Sequence, residues 1–380
     1  MELLTILLIC CISLLLLFYG FLLFSADTSL KNHKKSSPQN RIQNLKASVI
    51  IAVRNEEKNI LPCIESILKG NPDNKYYDII IINDHSTDNT KKLLNSIEVK
   101  NVRSYDLPQS ISGKKNALEY GLLRTSAEII ITTDGDCLLP QGWIQNIISH
   151  YSNNKNLVMT TGLVLPSGPN TTIGRFQWLD FAATMALTHY GISSKKFYLA
   201  NGANMSYLKQ SFLDTGGFQD NLHVASGDDV FLIKKLSRLP GKEIAFLPSP
   251  EAKVFTKAED TWKSLIQQRK RWATKTKAYA NIHILSIQAF VFGLSLFLNI
   301  FILMAFIQPK YFLAPFLFLC IGKYSIDYFF LKKLSYYFQN KHVMKNFLVS
   351  FIIYQFYILL MGIYALLPGH THWKDRKVRQ

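Results

Sequence analysis

Residues 3–24 form a nearly unbroken apolar run, and further apolar runs occupy residues 284–307, 311–331 and 347–367. A bilayer's hydrocarbon core is spanned by a helix of about 20 apolar residues. Each run meets that length or comes close to it. The chain therefore reads as an integral membrane protein whose middle section folds outside the lipid. A cleaved signal peptide is the competing reading of the first run. No Lys or Arg precedes that run and no good small-residue cleavage site follows it, which favours an uncleaved anchor. Lys31, Lys34, Lys35, Arg41 and Lys46 come next. The excess of basic residues on cytoplasmic flanks places this side, and the middle section, in the cytoplasm. A bacterial-type inner (plasma) membrane or its equivalent is the expected location.

The net charge of +17 over 380 residues fits either nucleic acid or an anionic membrane surface. The apolar runs decide for the membrane surface, and no nucleic-acid partner is expected. The five cysteines, Cys10, Cys11, Cys63, Cys137 and Cys320, lack metal-ligand spacing and read as reduced small hydrophobes. The expected organisation is an anchor at 1–27, a basic linker at 28–46, an α/β domain at 47–280, membrane helices at 281–370 and a basic tail at 371–380.

The middle section opens with Ala47-Ser48-Val49-Ile50-Ile51-Ala52-Val53, a buried strand, and a helix over about 58–69 carries a stripe from Ile60 to Leu68. Asp78-Ile79-Ile80-Ile81-Ile82 is a second apolar strand, ending in Asn83-Asp84. Strand, loop and helix alternate, which indicates a mostly parallel α/β sheet with ligands at the carboxyl ends of its strands. Asp84 at such an end can accept from a nucleobase or ribose, whereas Asp88 reads as a helix cap. Lys114 follows Gly113 at a helix start, where a bound anion would offset the unfavourable dipole. A solvated charge is the reading left open for Lys115.

A third strand, Ile129-Ile130-Ile131-Thr132-Thr133, delivers Asp134-Gly135-Asp136 to its tip. Two readings stand for this triplet: an acidic turn, or a site for a hard divalent cation that also holds a diphosphate. Asp228 and Asp229 open a later helix, as caps or with a general base among them. Residues 173–192 form a long apolar helix, a core element or one facing membrane or acceptor. The polar stretch Asn201-Gly202-Ala203-Asn204-Met205-Ser206 suits a loop beside a sugar. Gln267-Gln268-Arg269-Lys270-Arg271-Trp272 lies on an amphipathic helix from about Glu259, either as a basic face on anionic lipid or as part of a site.

Together, ASVIIAVRNEEKNI, IINDHSTDNT, GKKNAL, TTDGDCLLP, SGDDVFL and QRKRW resemble, in the same order, the membrane-embedded family 2 glycosyltransferases of GT-A fold. The resemblance implies an α/β GT-A (Rossmann-like) catalytic domain plus transmembrane or interfacial α-helices. It implies that Asp84 contacts the nucleotide base and that Lys114 lies near the diphosphate. Asp134 and Asp136 match the DxD pair, with Asp136 the direct ligand of Mg2+ or Mn2+ and Asp134 facing ribose or sugar. Asp229, beside Asp228, matches the catalytic base. Gln268, Arg271 and Trp272 match the QxxRW motif that closes over donor and acceptor. The tail His372-Trp373-Lys374-Asp375-Arg376-Lys377 is similar to that of ceramide glucosyltransferases and related lipid glycosyltransferases, with Asp375 in place of their glycine.

The expected reaction is inverting transfer of a sugar from a nucleotide diphosphate, a UDP-sugar by preference, to a membrane lipid acceptor. A processive polysaccharide synthase is the nearest alternative, and a catalytically inactive membrane scaffold a more distant one. A sugar-phosphate nucleotidyltransferase would need a Gly-rich loop where Arg54-Asn55-Glu56-Glu57 stands. Sugar, acceptor and oligomeric state are not written in the residues. Basic residues in the 332–345 loop and the tail call for both to be cytoplasmic. That requires the last run to re-enter or lie at the interface, bending at Gly362, Pro368 and Gly369. Lys323 and Asp327, one turn apart inside a span, are expected to neutralise each other.

Overall fold

The fold was taken from a computed structural model, which describes residues 2–31, 45–72, 75–222, 227–249, 252–273 and 281–366, with the backbone of 371–373 and 376–378. It divides into two compact units. One comprises Met1–Asn32, Gly168–Tyr190 and Glu259–Gly369; the other comprises His33–Ser167, Gly191–Ala258 and His370–Gln380.

The second unit is built on a seven-stranded sheet ordered β3-β2-β1-β4-β7-β5-β8. Its first half is parallel: β1 (Ala47–Val53) lies between β2 (Tyr77–Asn83) and β4 (Ile129–Asp134), and β3 (Val102–Asp106) flanks β2. Ile79 to Ile82 and Ile129 to Ile131 are fully buried, as β-branched runs covered on both faces should be. β7 (Met205–Leu208) enters antiparallel between β4 and β5 (Leu157–Gly162), and β8 (Glu243–Leu247) pairs parallel with β5. The unit also holds a small parallel pair, β6 (Val164–Ser167) and β9 (Val254–Lys257). Strand order reverses at β1 and β4, so the crevice at their carboxyl ends is where a ligand fits such a sheet. The helices α2 (Ile60–Gly70), α3 (Thr90–Asn95), α4 (Lys114–Leu122) and α5 (Trp143–Asn153) follow the strands in turn.

In the first unit, α1 (Glu2–Lys31) packs against a hairpin whose second arm holds Lys323 and Asp327. With α6 (Thr172–Ser193), α7 (Lys209–Asp214), α8 (Asp228–Leu236) and α9 (Trp262–Ala273) numbered along the chain, that hairpin is α10 (Ile282–Ile307) and α11 (Pro309–Tyr337). The last helix is α12 (Phe347–Leu366). Among the described residues, α1, α10, α11 and α12 are long and apolar enough to cross a membrane. Lys323 and Asp327 do neutralise each other, at 2.6 Å, and Tyr19 of α1 donates its hydroxyl to the same carboxylate at 2.5 Å. Nearer the helix ends, Asp27 of α1 takes Lys31 at 2.8 Å and Lys333 of α11 at 3.2 Å. Gly322 lets the two helices approach, since a Cβ there would stand 2.4 Å from Leu16.

The bend expected at Gly362 does not occur. α12 is continuous through that residue, and the missing Cβ makes room for the Phe292 ring, 2.4 Å from where it would stand. Pro368 and Gly369 lie outside the described residues, as do most of the basic linker and the tail's side chains. The tail's backbone forms an antiparallel pair, β10 (Thr371–Trp373) and β11 (Arg376–Val378). α12 packs along α10: Ser295 donates to Gln355 at 3.0 Å, and Gly362 faces the Phe292 ring. It also runs beside α9, where Lys270 lies 4.8 Å from the Tyr364 ring centre.

Candidate active site

Three strand tips build the site in the α/β unit. After β1, Arg54 turns inward and donates through Nη1 to the carbonyls of Asp84 (2.9 Å) and His85 (2.7 Å), tying the β1 tip to the β2 tip. Asn55 and His85 both sit at positive φ, 51° and 53°. Non-glycine residues in that region concentrate at functional loops because the surrounding contacts must hold them there. Asp88 accepts from the Glu57 and Thr90 amides at 3.1 and 3.0 Å, so it stitches the same two loops together. Burial pushes its carboxyl up, but the Thr90 and Glu57 donors outweigh that and hold it below the ordinary value.

Asp84 is buried at 2% exposure, and its Oδ2 accepts from the Gly113 amide at 3.1 Å. Gly113 has φ 102°, a conformation that suits glycine, and it delivers Lys114 as the first residue of α4. Asp84 thereby positions the lysine that follows, a role its sequence context does not reveal.

Lys114 Nζ lies 2.7 Å from Asp134 Oδ1 and 3.2 Å from Asp228 Oδ2. Burial lowers this ammonium's pKa, but the carboxylates of Asp134, Asp228 and Asp229 outweigh burial and hold it well above the ordinary lysine value. It is a permanent cation at the meeting point of β4 and α8. Lys115, by contrast, is not solvated. It is buried, donates to the Asn221 carbonyl at 2.7 Å and lies 4.6 Å from the Phe231 ring centre.

Gly202, in the polar stretch expected beside a sugar, stands against Lys114 and Asp228. A Cβ there would stand 2.9 Å from Lys114 Nζ and 3.0 Å from Asp228 Oδ2. Its amide faces Asp229 Oδ2 at 3.4 Å and its carbonyl accepts from Thr132 of β4 at 3.2 Å. One bare peptide thus stands against the lysine and both α8 carboxylates. Asp229 Oδ1 also accepts from the Val230 amide at 2.8 Å.

Asp136 occupies the turn after β4, where Gly135 closes against Val53 and Glu56. Two buried thiols lie beneath: Cys137 donates to Asp136 Oδ1 at 3.7 Å and Cys63 to the Asp134 carbonyl at 3.6 Å. Burial, then the charges of Asp136 and Asp134, push both thiols up, so they stay neutral and inert. Among the described residues no group of three or more His, Cys, Asp and Glu side chains is gathered for a metal. The donor set at the β4 tip is two carboxylates. That fits a hard cation shared with a diphosphate, which needs few protein ligands.

Gln268, Arg271 and Trp272 lie on α9, in the helical unit. Gln268 Nε2 donates to Glu259 at 2.9 Å, and its buried Oε1 has no hydrogen-bond partner among the described residues. Trp272 meets the Phe181 ring edge-on at 5.6 Å. Between Gln268 and Arg271, Arg269 pairs with Asp180 of α6 at 2.9 Å and lies 4.6 and 4.4 Å from the ring centres of Phe181 and Trp272. Burial pushes the Asp180 carboxyl up, opposed by Arg269.

Comparison with known proteins agrees with this geometry. The model for "Glycosyl transferase family 2" matches residues 48–209, and that for "Glycosyl transferase family group 2" matches residues 129–367. The chain is 25% identical over 260 residues to poly-β-1,6-N-acetyl-D-glucosamine synthase of Staphylococcus aureus, covering 67% of this chain and 60% of that one. The Staphylococcus epidermidis synthase is 26% identical over 252 residues, 63% of this chain and 58% of that one. The chain therefore spans about three-fifths of the length of these relatives. Among solved structures it is similar to the mannosyltransferase PcManGT of Pyrobaculum calidifontis, in complex with GDP-Man and Mn2+. The TM-score is 0.55 at 15% identity, covering 96% of this chain and 98% of that one. The sheet is mostly parallel and of GT-A type with carboxylates at its strand tips, and the second family model, which matches more than half of the chain, identifies it as a glycosyltransferase belonging to glycosyl transferase family group 2.

Proposed function

We propose that the protein transfers one sugar from a nucleotide-diphosphate sugar, a UDP-sugar by preference, to the hydroxyl of a membrane lipid at the cytoplasmic face. The observation that carries this reading is the Lys114 ammonium held between Asp134 and Asp228, beside Asp229. A fixed cation between two strand-tip and helix-tip carboxylates is suited to a diphosphate leaving group. In this reading residues 47–280 are the catalytic domain, 1–27 and 281–370 the membrane part, and 28–46 and 371–380 basic flanks on an anionic membrane surface.

Asp84 accepts from the nucleotide base while its second oxygen keeps Gly113 and Lys114 in place. Asp136, with Asp134 beside it, would hold Mg2+ or Mn2+, which when bound supplies charge neutralisation at the diphosphate. Asp229 takes the proton of the acceptor hydroxyl, whose oxygen bonds to the anomeric carbon as the bond from that carbon to the diphosphate oxygen breaks. One base and one displacement give inversion at that carbon. Asp228 holds Lys114 against the leaving group, and Gln268, Arg271 and Trp272 close over donor and acceptor.

The staphylococcal relatives are named for making a polymer, so a processive polysaccharide synthase is the second reading. Membranes containing the protein, incubated with labelled UDP- and GDP-sugars and then extracted, test both. A lipid heavier by one sugar is expected. A labelled ladder left in the aqueous phase supports the second reading, and no incorporation from any donor overturns both.

A further inference from the structure

The helical unit contains a cavity of its own. It is bounded by α1, α6, α10, α11 and α12, with Leu22, Leu179, Ala183, Leu331 and Phe351 among its walls. It is open on one side and lined mostly by apolar side chains, the form usual for a ligand pocket. It lies toward the end of the bundle where α1 finishes at Lys31 and α11 runs into Lys332 and Lys333.

Two charged side chains face it, Asp180 and Asp327, and each already has a cation: Arg269 at 2.9 Å and Lys323 at 2.6 Å. Tyr19, also on the wall, gives its hydroxyl to Asp327. Both carboxylates are thus neutralised by partners they already hold, and among the described residues the wall presents no unpaired charge. A phosphate headgroup would find no spare cation there, and a sugar chain would find few donors and acceptors to replace water. A hydrocarbon chain meets neither obstacle. The helices around the cavity turn large apolar side chains outward, Leu14, Leu17 and Phe21 on α1 and Ile300 and Leu303 on α10. Hydrocarbon is the solvent such faces require.

We infer that this cavity receives one hydrocarbon chain of the lipid that carries the acceptor hydroxyl, with the lipid's polar end at the Asp180–Arg269 side. The inference rests on the lipid-acceptor reading above and adds the subsite. Arg269 belongs to α9 together with Gln268, Arg271 and Trp272, so a chain seated here would bring its head toward that motif.

The test uses the full-length protein in vesicles containing a diacylglycerol with a diazirine midway along one acyl chain. Illumination should label the segments around Ala183 and Phe351, and Ala183→Phe, which fills the cavity, should abolish that label. In the transfer assay Ala183→Phe should raise the acceptor KM by roughly tenfold or more, with hydrolysis of the nucleotide sugar to water unchanged. Ala183→Ser should behave as the natural protein. Label confined to outward residues such as Leu14 and Phe21, or label equal in Ala183→Phe, overturns the assignment. Cavity label without any lipid product breaks the lipid-acceptor reading and leaves the cavity standing as a lipid-chain site. A lipid product without cavity label does the reverse.

Discussion

Lys114 Nζ stands 2.7 Å from Asp134 Oδ1, so the residue that opens α4 also closes the tip of β4. Lys114→Met leaves Asp134 facing Asp228 with no cation between them. Loss of an electrostatic group aimed at developing charge lowers turnover by about 100-fold or more. Initial rates against donor concentration check this, and turnover close to that of the natural protein would remove Lys114 from the donor site.

Gly202→Ala separates geometry from charge. The glycine's φ is not positive, so alanine fits the backbone, yet its Cβ would stand 2.9 Å from Lys114 Nζ and 3.0 Å from Asp228 Oδ2. A displacement of even about 1 Å in a positioned group is expected to reduce turnover on the order of 100-fold. The thermal midpoint should move little, because the substitution adds one methyl group in a cleft. Asp229→Asn tests the base itself. It should abolish transfer while nucleotide binding, followed by calorimetry, persists; retained transfer would place the base elsewhere.

The Lys323–Asp327 pair makes a different kind of prediction. Lys323→Leu alone strands a buried carboxylate and is expected to destabilise the bundle by about 3–5 kcal/mol. Lys323→Leu combined with Asp327→Leu removes both charges and should recover most of that loss. Denaturation in detergent micelles measures the two, and equal losses would show that the pair is not a closed unit.

Acid stability should report Asp88. Its folded pKa lies below the ordinary value, so its contribution is present above an unfolded pKa of about 3.9 and disappears as pH falls through the lower folded value. Thermal midpoints recorded on acidification should therefore fall more steeply for the natural protein than for Asp88→Asn. Parallel curves would mean that the Glu57 and Thr90 contacts do not set the acid limb.

The basic tail calls for a cytoplasmic C-terminus, which α12 lying at the interface would provide. A cysteine appended after Gln380 should be reached by an impermeant maleimide only from the cytoplasmic side. Labelling from the outside would make α12 a full span.

The strands that carry the site were legible because burial on both faces demands continuous β-branched runs, and β1, β2 and β4 have them. β7 was not. Met205-Ser206-Tyr207-Leu208 is short and mixed, and its place between β4 and β5 depends on pairing with residues far along the chain, including Ser206 with Thr160 at 2.6 Å. The carboxylates were legible as residue types at strand and helix tips. Their partners were not, because Lys114–Asp228 and Asp180–Arg269 are contacts of folding rather than of sequence. Gly202 was legible only as part of a polar loop, for a related reason. A glycine in a polar stretch looks like a loop until a charged neighbour is found where its side chain would be.

The pairing of Lys323 with Asp327 has a consequence for how the chain enters the membrane. The two residues lie one helical turn apart on α11, so the pair can close as soon as that turn forms, before any neighbour is present. A helix carrying the closed pair would enter lipid as a neutral segment, at a smaller penalty than two separate charges impose. Tyr19, synthesised hundreds of residues earlier, reaches Asp327 only when α1 docks. In that order the salt bridge would ease the entry of α11, and the tyrosine contact would follow once the N-terminal helix docks.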